Sequence, residues 1–506
     1  MTERPDRTKS PAPVAVLGEV VRDPRTALLS RPTLALCTLL VLAGALELVP
    51  GLERWRLFNR PAPESHDSSA MAPLTELSAG EARIETESRT LAELAQPEEV
   101  KLPRGTKGPI ATRQGTDELP DLNTKLPPVP LVDPGQKALA GFYRSLLRTE
   151  RKEPGAITRI AHFGDSIIVS DYVSATLRRK LQKQFGDAGH GFMLVANPWP
   201  AYFHNDVYRF ASSGWLVSRI VGPLAPDGIY GLGGVSFRAP PGARARFGTA
   251  KRGSFGRSVS HFELVYYQQP GGGQFDLNLD GKLHSTINTD NPEKRVATAV
   301  VSTTDGEHLL EVVTRKGFSR MFGVVMEREA PGVVLDAIGI QGARARFLDK
   351  QDDAHWAQQL EWRRPNLMIY QFGANESGDG FAYPMDEYHR TLVAVLRQGR
   401  KAVPDCGCLV LAAMDRAKKR GTELRSMAVI PALVAEQRKA AAEVGCAFWN
   451  TFEAMGGPGA MPTWVRRGLG QADLTHPTGS GCEVLGKWIY QALMQGYAEY
   501  RKTQAR

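Results

Sequence analysis

The stretch Ile160-Ala-His-Phe-Gly-Asp-Ser-Ile167 decides the fold class of this chain. An apolar segment, residues 156–163, leads into Gly164-Asp165-Ser166, and a helical pattern follows from Tyr172 to Phe185. Ser166 is therefore expected where a buried strand ends and a helix begins. Backbone N–H groups at a helix N-terminus stabilise negative charge, so a serine at this junction is suited to act as a nucleophile. The same tripeptide also occurs in ordinary turns, and the motif alone does not decide between the two interpretations.

The composition describes a large globular chain. Its 506 residues, 42% of them hydrophobic, are enough for one large domain and a second module. The net charge of +9 comes from 63 basic and 54 acidic residues, which are spread along the chain. A dispersed charge of this size is typical of a solvated surface and argues against nucleic-acid binding. The five cysteines have no metal-binding spacing, and a disulfide between Cys446 and Cys482 or another pair stays open.

The N-terminal segments indicate an export signal followed by a tether. Residues 1–31 are polar and carry arginines just before an uncharged apolar run, residues 33–46. The run is short for a membrane-spanning helix, which needs about 20 residues, so residues 32–52 are either a signal anchor or a signal peptide. The long polar start favours the anchor, with residues 1–31 in the cytoplasm and the rest of the chain outside it. Residues 53–136 are predicted to be a disordered, Pro-rich tether.

An α/β domain is predicted in two parts, residues 137–207 and 331–506. A helical segment at 138–149 precedes the strand before Ser166. Further strands are predicted at residues 333–340, 366–372, 408–414 and 447–450, and further helices near 386–399, 428–444 and 479–501. Alternating strands and helices favour a mainly parallel, three-layer sheet with functional residues at the carboxyl ends of its strands.

Residues 208–330 have a different period and are predicted to be an inserted β-sandwich. Apolar and polar residues alternate from Phe275 to an Asp280-Gly281 turn. A second hairpin is predicted between residues 297–302 and 309–313, across Asp305-Gly306. Two such turns without a convincing helical pattern favour a sandwich of antiparallel sheets.

Three further groups of residues lie at predicted strand ends or just before the last helix. Gly342 follows one strand, and without a side chain its backbone N–H can approach a ligand. Asn375, in Gly373-Ala-Asn, follows the next strand and offers an amide as an oxyanion donor. Asp473 and His476 are spaced so that the carboxylate can orient the imidazole. Each has an ordinary alternative, namely a turn for the glycine, helix caps for Asn375 and Asp473, and a solvated side chain for His476.

In this order and at these strand ends, Gly-Asp-Ser, the glycine, Gly-x-Asn and Asp-x-x-His resemble the four sequence blocks of the SGNH (GDSL-type) hydrolase superfamily. The resemblance covers residues 155–207 and 331–500. It implies a flavodoxin-like α/β/α fold and ester hydrolysis or acyl transfer. Of the ten histidines, only His476 has a carboxylate at this offset beside a strand–helix junction, and His162, inside a predicted strand, is expected to be structural.

The resemblance also implies a role for each of five residues. Ser166 is the nucleophile, His476 the general base and acid, and Asp473 its orienting partner. The oxyanion hole consists of the N–H groups of Ser166 and Gly342 and the side-chain amide of Asn375. These roles agree with the chemistry, because a serine hydroxyl needs a base and an ester carbonyl needs donors for its developing charge. No metal or organic cofactor is implied.

Within the superfamily the chain resembles bacterial peptidoglycan O-acetylesterase-like proteins. Three segments carry this resemblance: Phe-Gly-Asp-Ala-Gly-His-Gly-Phe at 185–192, Gln-Pro-Gly-Gly-Gly-Gln-Phe at 269–275 and Phe-Glu-Ala-Met-Gly-Gly at 452–457. Those relatives also have a carbohydrate-binding-like β module between the first two blocks. One departure is Ile167, where many of them have histidine. It leaves the triad intact and the precise substrate open.

The sequence therefore predicts a serine esterase that removes O-acetyl groups from peptidoglycan or another polysaccharide of the cell envelope. It is expected in the periplasm, held to the inner membrane by its N-terminal segment. The alternatives are a polysaccharide O-acetyltransferase with the same acyl-serine intermediate and a non-catalytic glycan-binding protein. The complete set of Ser166, Asn375, Asp473 and His476 argues against the second, because a binding protein does not need all four. The acyl group, the choice between water and a sugar acceptor, and the oligomeric state stay open.

Overall fold

The computed structural model describes residues 127–504. The predicted cytoplasmic segment, the signal anchor and most of the predicted tether lie outside the described residues. Within residues 127–504, no helix combines the length and the apolar character that a membrane span requires.

The regular elements are numbered in chain order. The strands are β1 (Ile157–Gly164), β2 (Gly189–Leu194), β3 (Val207–Ala211), β4 (Leu216–Arg219), β5 (Val235–Ala239), β6 (Arg244–Thr249), β7 (Val259–Gln268), β8 (Gln274–Leu279), β9 (Lys282–Asn288), β10 (Arg295–Gly306), β11 (Leu309–Lys316), β12 (Ser319–Glu327), β13 (Gly332–Gly339), β14 (Leu367–Gln371), β15 (Gly407–Leu411), β16 (Ala417–Arg420), β17 (Glu423–Ser426) and β18 (Ala447–Trp449). The α-helices are α1 (Ala140–Glu150), α2 (Ser166–Val169), α3 (Tyr172–Phe185), α4 (Asp353–Arg363), α5 (Met385–Ala402), α6 (Ile430–Val444), α7 (Thr451–Met455), α8 (Ala460–Arg466) and α9 (Gly479–Gln504). Short 3-10 helices cover Pro134–Gln136, Ala345–Lys350 and Glu376–Ala382.

Five strands form a parallel sheet in the order β13-β1-β14-β15-β18. Counted along the chain within this sheet, the order is 2-1-3-4-5, which is that of flavodoxin-like folds. The strands are largely buried, as parallel strands covered by helices are. β13, for example, is buried along its whole length. The predicted flavodoxin-like α/β domain is confirmed.

Helices cover both faces of the parallel sheet. Phe163 of β1 belongs to one hydrophobic core and its neighbour Ile160 to another, because side chains along a strand face opposite sides in turn. Helices α4, α5 and α6 contribute Trp356, Leu392 and Leu433 to the first core, and helices α1, α3 and α9 contribute Leu146, Leu177 and Leu485 to the second. The result is the predicted three-layer arrangement.

The inserted module consists of two antiparallel sheets. One has the order β10-β7-β12-β5-β4, with β2 also paired to β12, and the other has the order β3-β6-β11-β8-β9. The ring of Tyr266 on β7 lies 5.4 Å from the ring of Phe275 on β8, so the two sheets share a core. The predicted inserted module of antiparallel sheets is confirmed. Strand β2, which the sequence assigned to the α/β part, pairs with it.

One of the two predicted hairpins forms and the other does not. β8 and β9 pair across Asp280-Gly281, where both residues have positive φ, 52° and 79°, as a type I′ turn requires. The hairpin across Asp305-Gly306 is wrong, because β10 pairs with β7 whereas β11 pairs with β6 and β8. The chain therefore passes from one sheet to the other after Gly306. The Asp305 side chain forms an ion pair with Arg328 (2.6 Å). The Asp-Gly pair therefore predicted a hairpin where the two strands join different sheets.

The disulfide, which the sequence left open, joins a pair other than Cys446 and Cys482. Cys408 bonds to Cys446, while Cys406 and Cys482 are free and buried. Cys408 lies on β15 and Cys446 just precedes β18, and these strands are neighbours in the parallel sheet. Cys446 belongs to one core and Cys482, on α9, to the core on the opposite face, so the sheet separates them.

Candidate active site

The predicted nucleophile lies where β1 turns into α2. Gly164 ends the strand, and a side chain there would collide with Ile168, whose nearest atom lies 2.4 Å from a hypothetical Cβ. Asp165 caps the short helix, since its Oδ1 accepts a hydrogen bond from the N–H of Ile167 (3.1 Å). Ser166 is the first helical residue. The N–H of such a residue has no partner within the helix and is free to bind a ligand oxygen.

Ser166, His476 and Asp473 form a hydrogen-bonded chain. Ser166 Oγ and His476 Nε2 lie 2.7 Å apart, and His476 Nδ1 donates to Asp473 Oδ2 over 2.6 Å. With Nδ1 protonated, the neutral imidazole presents Nε2 as an acceptor for the serine proton. The structure thus brings Ser166 into contact with His476, although the two residues are 310 positions apart in the sequence.

Hydrogen bonds at Asp473 fix the charge of this pair. The other carboxylate oxygen of Asp473 accepts the N–H groups of Thr475 and His476, each over 3.0 Å. Burial opposes ionisation, but the bonds from His476 and these two N–H groups outweigh it and lower the pKa of Asp473 to about 2. In return the hydrogen bond to the Asp473 carboxylate raises the pKa of His476 above its usual value. Asp473 is therefore a charged partner that stabilises the imidazolium.

Gly342 and Asn375 lie at the carboxyl ends of the two strands that flank β1. The N–H of Ala343 donates to the carbonyl of Ile340 (3.0 Å), which closes a turn with Gly342 at φ 78° and open space beside it. The Asn375 side chain donates one amide hydrogen to the carbonyl of Ala343 (2.7 Å). An amide carries two such hydrogens, so one is left for a ligand. The structure joins the two predicted oxyanion donors, and their catalytic role stays a prediction.

Arg416 connects the two halves of the site and was missed in the sequence. Its Nε donates to Thr475 Oγ1 (2.9 Å) and its Nη1 to the carbonyl of Ala374 (2.7 Å). These partners stand next to the base and to the Gly-x-Asn amide respectively. The neighbouring Ala417 N–H donates to the carbonyl of Leu474 (2.9 Å). This bond is a second attachment for the loop that carries His476, residues 471–478. The rule that functional residues follow parallel strands applies here too, since Arg416 follows β15.

Two buried carboxyl groups lie behind the site. Burial raises the pKa of Asp165 to about 6 and that of Glu376 to about 7. Glu376 Oε1 accepts the N–H of Ala345 (2.9 Å), which ties the Gly-x-Asn block to the segment after Gly342. Asp165 and Glu376 are direct sequence neighbours of the predicted site residues Ser166 and Asn375, but nothing in the sequence indicates that their carboxyl groups are buried.

His162 takes no part in the triad. It is fully buried, with Nε2 beside Gln371 Oε1 (3.1 Å) and Nδ1 beside Ser174 Oγ (3.0 Å). Burial lowers its pKa to about 4, so the ring is neutral at physiological pH. It joins β1, β14 and α3, as the structural interpretation of this residue predicts.

Comparison with known proteins identifies the fold. A solved structure of a peptidoglycan O-acetylesterase aligns with a TM-score of 0.63 and 21% identity over 73% of this chain and 99% of that one. A family two carbohydrate esterase from Cellvibrio japonicus aligns with 12% identity over 58% of this chain and 98% of that one, with a TM-score of 0.24. A salicylyl-acyltransferase from a tetracycline biosynthetic pathway gives 14% identity, 58% and 98% coverage, and a TM-score of 0.26.

The last two TM-scores are too low to add to the assignment. No protein-family model matches the sequence, and no curated protein does. The fold therefore rests on the sheet order 2-1-3-4-5, the positions of the four sequence blocks and the first alignment. On these grounds the chain has the SGNH hydrolase-like fold that its sequence blocks predicted.

Proposed function

We propose that this chain is a serine esterase that removes O-acetyl groups from peptidoglycan or another envelope polysaccharide through an acyl-serine intermediate. The observation that carries the proposal is the chain of hydrogen bonds from Ser166 through His476 to Asp473, with distances of 2.7 and 2.6 Å. A nucleophile, a base and an orienting carboxylate within hydrogen-bond reach are what acyl transfer needs. A binding protein gains nothing from this arrangement.

In the first half of the reaction, Ser166 Oγ attacks the acetyl carbonyl carbon as its proton passes to His476 Nε2. The carbonyl oxygen becomes an oxyanion that accepts hydrogen bonds from the N–H groups of Ser166 and Gly342 and from the Asn375 amide. The bond between the carbonyl carbon and the sugar oxygen then breaks. His476 returns the proton to that oxygen, so the free sugar hydroxyl leaves and an acetyl-serine remains.

In the second half, His476 takes a proton from water, and the resulting hydroxide oxygen attacks the acetyl-serine carbonyl. The same three donors hold the second oxyanion. When it collapses, the bond to Ser166 Oγ breaks, His476 returns the proton to Oγ, and acetic acid leaves and loses its remaining acidic proton to water as acetate. Asp473 stays ionised throughout, since its pKa is about 2, and it stabilises the imidazolium in both halves.

The substrate class and the location are supported by separate observations. The peptidoglycan O-acetylesterase structure that shares the fold supports a glycan ester as substrate. The basic flank of residues 1–31 before the apolar run supports export with residues 1–31 inside. The Cys408–Cys446 disulfide supports the same location, because disulfides persist in oxidising compartments. The enzyme acts in the periplasm, attached to the inner membrane.

Acetate release tests the proposed activity. The full chain and its Ser166→Ala variant are incubated with O-acetylated peptidoglycan, with and without added oligosaccharide acceptor. The esterase predicts free acetate with the wild type and none with the variant. Acetylated acceptor in place of acetate would assign a transferase, and acetate release by the variant would remove Ser166 from the mechanism.

A reporter fusion tests the location. Alkaline phosphatase, which is active only after export, is joined behind residue 136. Active phosphatase is expected, and an inactive fusion at equal protein level would contradict export. Deleting residues 32–52 from the same fusion is the matched control and should abolish the phosphatase activity.

A further inference from the structure

A groove of about 580 Å³ runs along one side of the inserted module. Its walls come from residues 196–217, chiefly from β3 and from the turn that leads to β4. β3 is the edge strand of one antiparallel sheet and β4 the edge strand of the other, so the groove lies where the sandwich is open. Its volume falls in the range of about 300 to 1,000 Å³ that is typical of ligand sites. The triad residues do not line it.

Three of the apolar rings that line the groove are exposed or partly exposed. Phe203 and Phe210 are 48% and 44% exposed, and Trp215 is partly exposed. Most large apolar side chains of the module are buried instead, as Phe237, Phe262 and similar residues are. A group of exposed rings in a concave surface marks an interaction site, because water covers such rings at a cost in free energy.

Contacts with neighbouring residues of the inserted module hold two of these rings, Trp215 and Phe210, in place. Trp215 Nε1 donates to the carbonyl of Arg244 (3.4 Å), and the indole packs edge-on against Phe237 with 6.4 Å between ring centroids. The guanidinium of Arg246 lies 5.4 Å from the centre of the Phe210 ring. Rings that are already fixed lose little rotational freedom when a ligand covers them, which favours binding.

Polar groups also line the groove. The Arg209 guanidinium stacks on Tyr202, 4.7 Å from the ring centre, and donates to Asn197 Oδ1 (3.2 Å) and to the carbonyl of Leu194 (2.8 Å). A sugar ring combines an apolar face of C–H groups with an edge of hydroxyls. Flat aromatic surfaces with fixed donors and acceptors beside them match both parts.

The groove begins next to the nucleophile helix. The N–H of Phe203 donates to the carbonyl of Val169 (3.3 Å), and the Phe203 ring stacks on Tyr172 at 6.3 Å. Val169 ends the helix that starts at Ser166. A rise of 1.5 Å per residue places these two residues about 5 Å apart along the helix axis, so one short helix separates the nucleophile from the near end of the groove. A polymer bound at Ser166 is long enough to extend to the groove, whereas a small ester is not.

From this arrangement we propose that the groove binds the glycan chain whose ester lies at Ser166, with sugar rings stacked on Phe203, Phe210 and Trp215. The identity of the ligand rests on the proposed function, while the groove itself does not. The enzyme thereby selects polymer over small esters. The competing occupant is a second copy of this chain, paired through the β3 edge, and the experiment separates the two.

Binding is measured first, in a form that needs no catalysis. The full chain with Ser166→Ala is cosedimented with insoluble peptidoglycan from which the O-acetyl groups have been removed. Adding Phe210→Ala and Trp215→Ala should raise the Kd at least about tenfold, equivalent to about 1.4 kcal/mol. Phe318→Ala is the matched control, because that ring is 40% exposed on the same module and outside the groove. Its Kd should change less than about twofold.

The conservative pair Phe210→Tyr and Trp215→Phe separates lost binding from lost folding. It keeps aromatic rings at both positions, so near wild-type binding is expected, and a loss equal to that of the alanine pair contradicts the stacking role. Binding that the alanine pair leaves unchanged overturns the proposal. So does a self-association that the pair abolishes in sedimentation velocity, since the groove is then an interface between copies.

Kinetics separate this proposal from the proposed function. With Ser166 intact, the alanine pair should lower kcat/KM on O-acetylated peptidoglycan about tenfold and leave an aryl acetate unaffected. Aryl acetate turnover with unchanged polymer binding rejects the groove and keeps the esterase. Ring-dependent polymer binding without any ester hydrolysis by the parent chain rejects the esterase and keeps the groove.

Discussion

The nucleophile turn, residues 164–169, and the base loop, residues 471–478, meet at Ser166 and His476 but are held by different interactions. In the nucleophile turn Asp165 is completely buried, and Ile167, Ile168 and Val169 are also buried. In the base loop the side chains of Asp473 and His476 are 46% and 33% exposed. Packing fixes the first, whereas the second is fixed by the hydrogen bond that Asp473 accepts from His476 and by those that Arg416 and Ala417 donate.

The same difference gives Asp165 and Asp473 opposite pKa shifts. Burial raises the pKa of Asp165 to about 6, while hydrogen bonds prevail over burial and lower that of Asp473 to about 2. The two environments therefore push neighbouring carboxyl groups in opposite directions, as in other acid–base sites. Asp473 supplies the negative charge that the imidazolium needs, and Asp165 supplies a helix cap. The two carboxyl groups thus differ in charge because burial dominates at Asp165 and hydrogen bonding dominates at Asp473.

The largest effect is expected at the contact between the two regions. Ser166→Ala and His476→Ala should each lower kcat on an aryl acetate by about 10⁴-fold or more, and the double variant should be no worse, because the two residues act as a unit. Thermal unfolding serves as the control and should change little. Losses that multiply in the double variant would show that the two residues act independently.

Smaller losses of activity, of unequal size, are expected at the two aspartates. Asp473→Asn should lower kcat on the order of 10²-fold, since it removes a charged but partly exposed partner of the base. Asp165→Asn keeps a side chain that can cap the helix and should cost less than about tenfold. Steady-state kinetics on the same ester measure both. A larger loss of kcat for Asp165→Asn than for Asp473→Asn would contradict the different functions assigned to the two aspartates.

Arg416 should have an effect of about tenfold on kcat, through the positions of Thr475 and Ala374. Arg416→Gln removes both the forked contacts and the charge, while Arg416→Lys keeps the charge alone. The Arg416 charge acts to lower the pKa of His476. The rising limb of kcat/KM against pH should therefore move to higher pH in the Gln variant and stay in place in the Lys variant. An unchanged limb in both would reduce Arg416 to a structural residue.

The pH dependence of activity measures the bond between base and carboxylate. The hydrogen bond to Asp473 raises the pKa of His476, and only the neutral imidazole accepts the serine proton. Activity should thus rise with pH through a midpoint above the ordinary 6.5 for histidine. Asp473→Asn should move this midpoint down. A midpoint that does not respond to the variant would mean that a different group controls the rise.

The smallest effect is on stability. A carboxyl group with a raised folded-state pKa contributes stability that is present below its unfolded value near 3.8 and is lost as pH rises through about 6. Asp165→Asn should therefore lose less free energy of unfolding than the wild type between pH 4 and 7. Glu376, with a pKa raised to about 7, still titrates in the variant, so part of the decrease stays. Urea unfolding across this range measures it, and parallel curves would contradict the raised pKa of the buried Asp165 carboxyl.

The two regions also differ in what the sequence predicts. Helix α3 has the predicted bounds, Tyr172–Phe185, because its period and the preceding strand are local patterns. The sequence blocks likewise named Ser166, Asp473 and His476, which lie within hydrogen-bond distance of one another in the structure, and their catalytic roles stay predictions. Arg416 was missed because its partners Ala374 and Thr475 are 42 and 59 residues away.

The disulfide, which the sequence left open, and the hairpin, which it predicted wrongly, also depend on residues that are far apart in the sequence. Cys408 meets Cys446 only through the order of strands β15 and β18, and the false hairpin at Asp305 depends on which sheet offers a pairing edge. Strand order and sheet assignment are set by the packing of the whole core rather than by local residues. The inserted module, where long-range pairing dominates, was accordingly predicted less well than the nucleophile turn.

Labelling with a fluorophosphonate tests the central claim, that His476 activates Ser166 as a nucleophile. Such probes bond covalently to activated serines and leave others unmodified, and peptide mass spectrometry locates the label. The wild-type chain should carry the label at Ser166, and His476→Ala should carry none. Equal labelling of His476→Ala, or a label at another residue with Ser166 unmodified, would contradict the account.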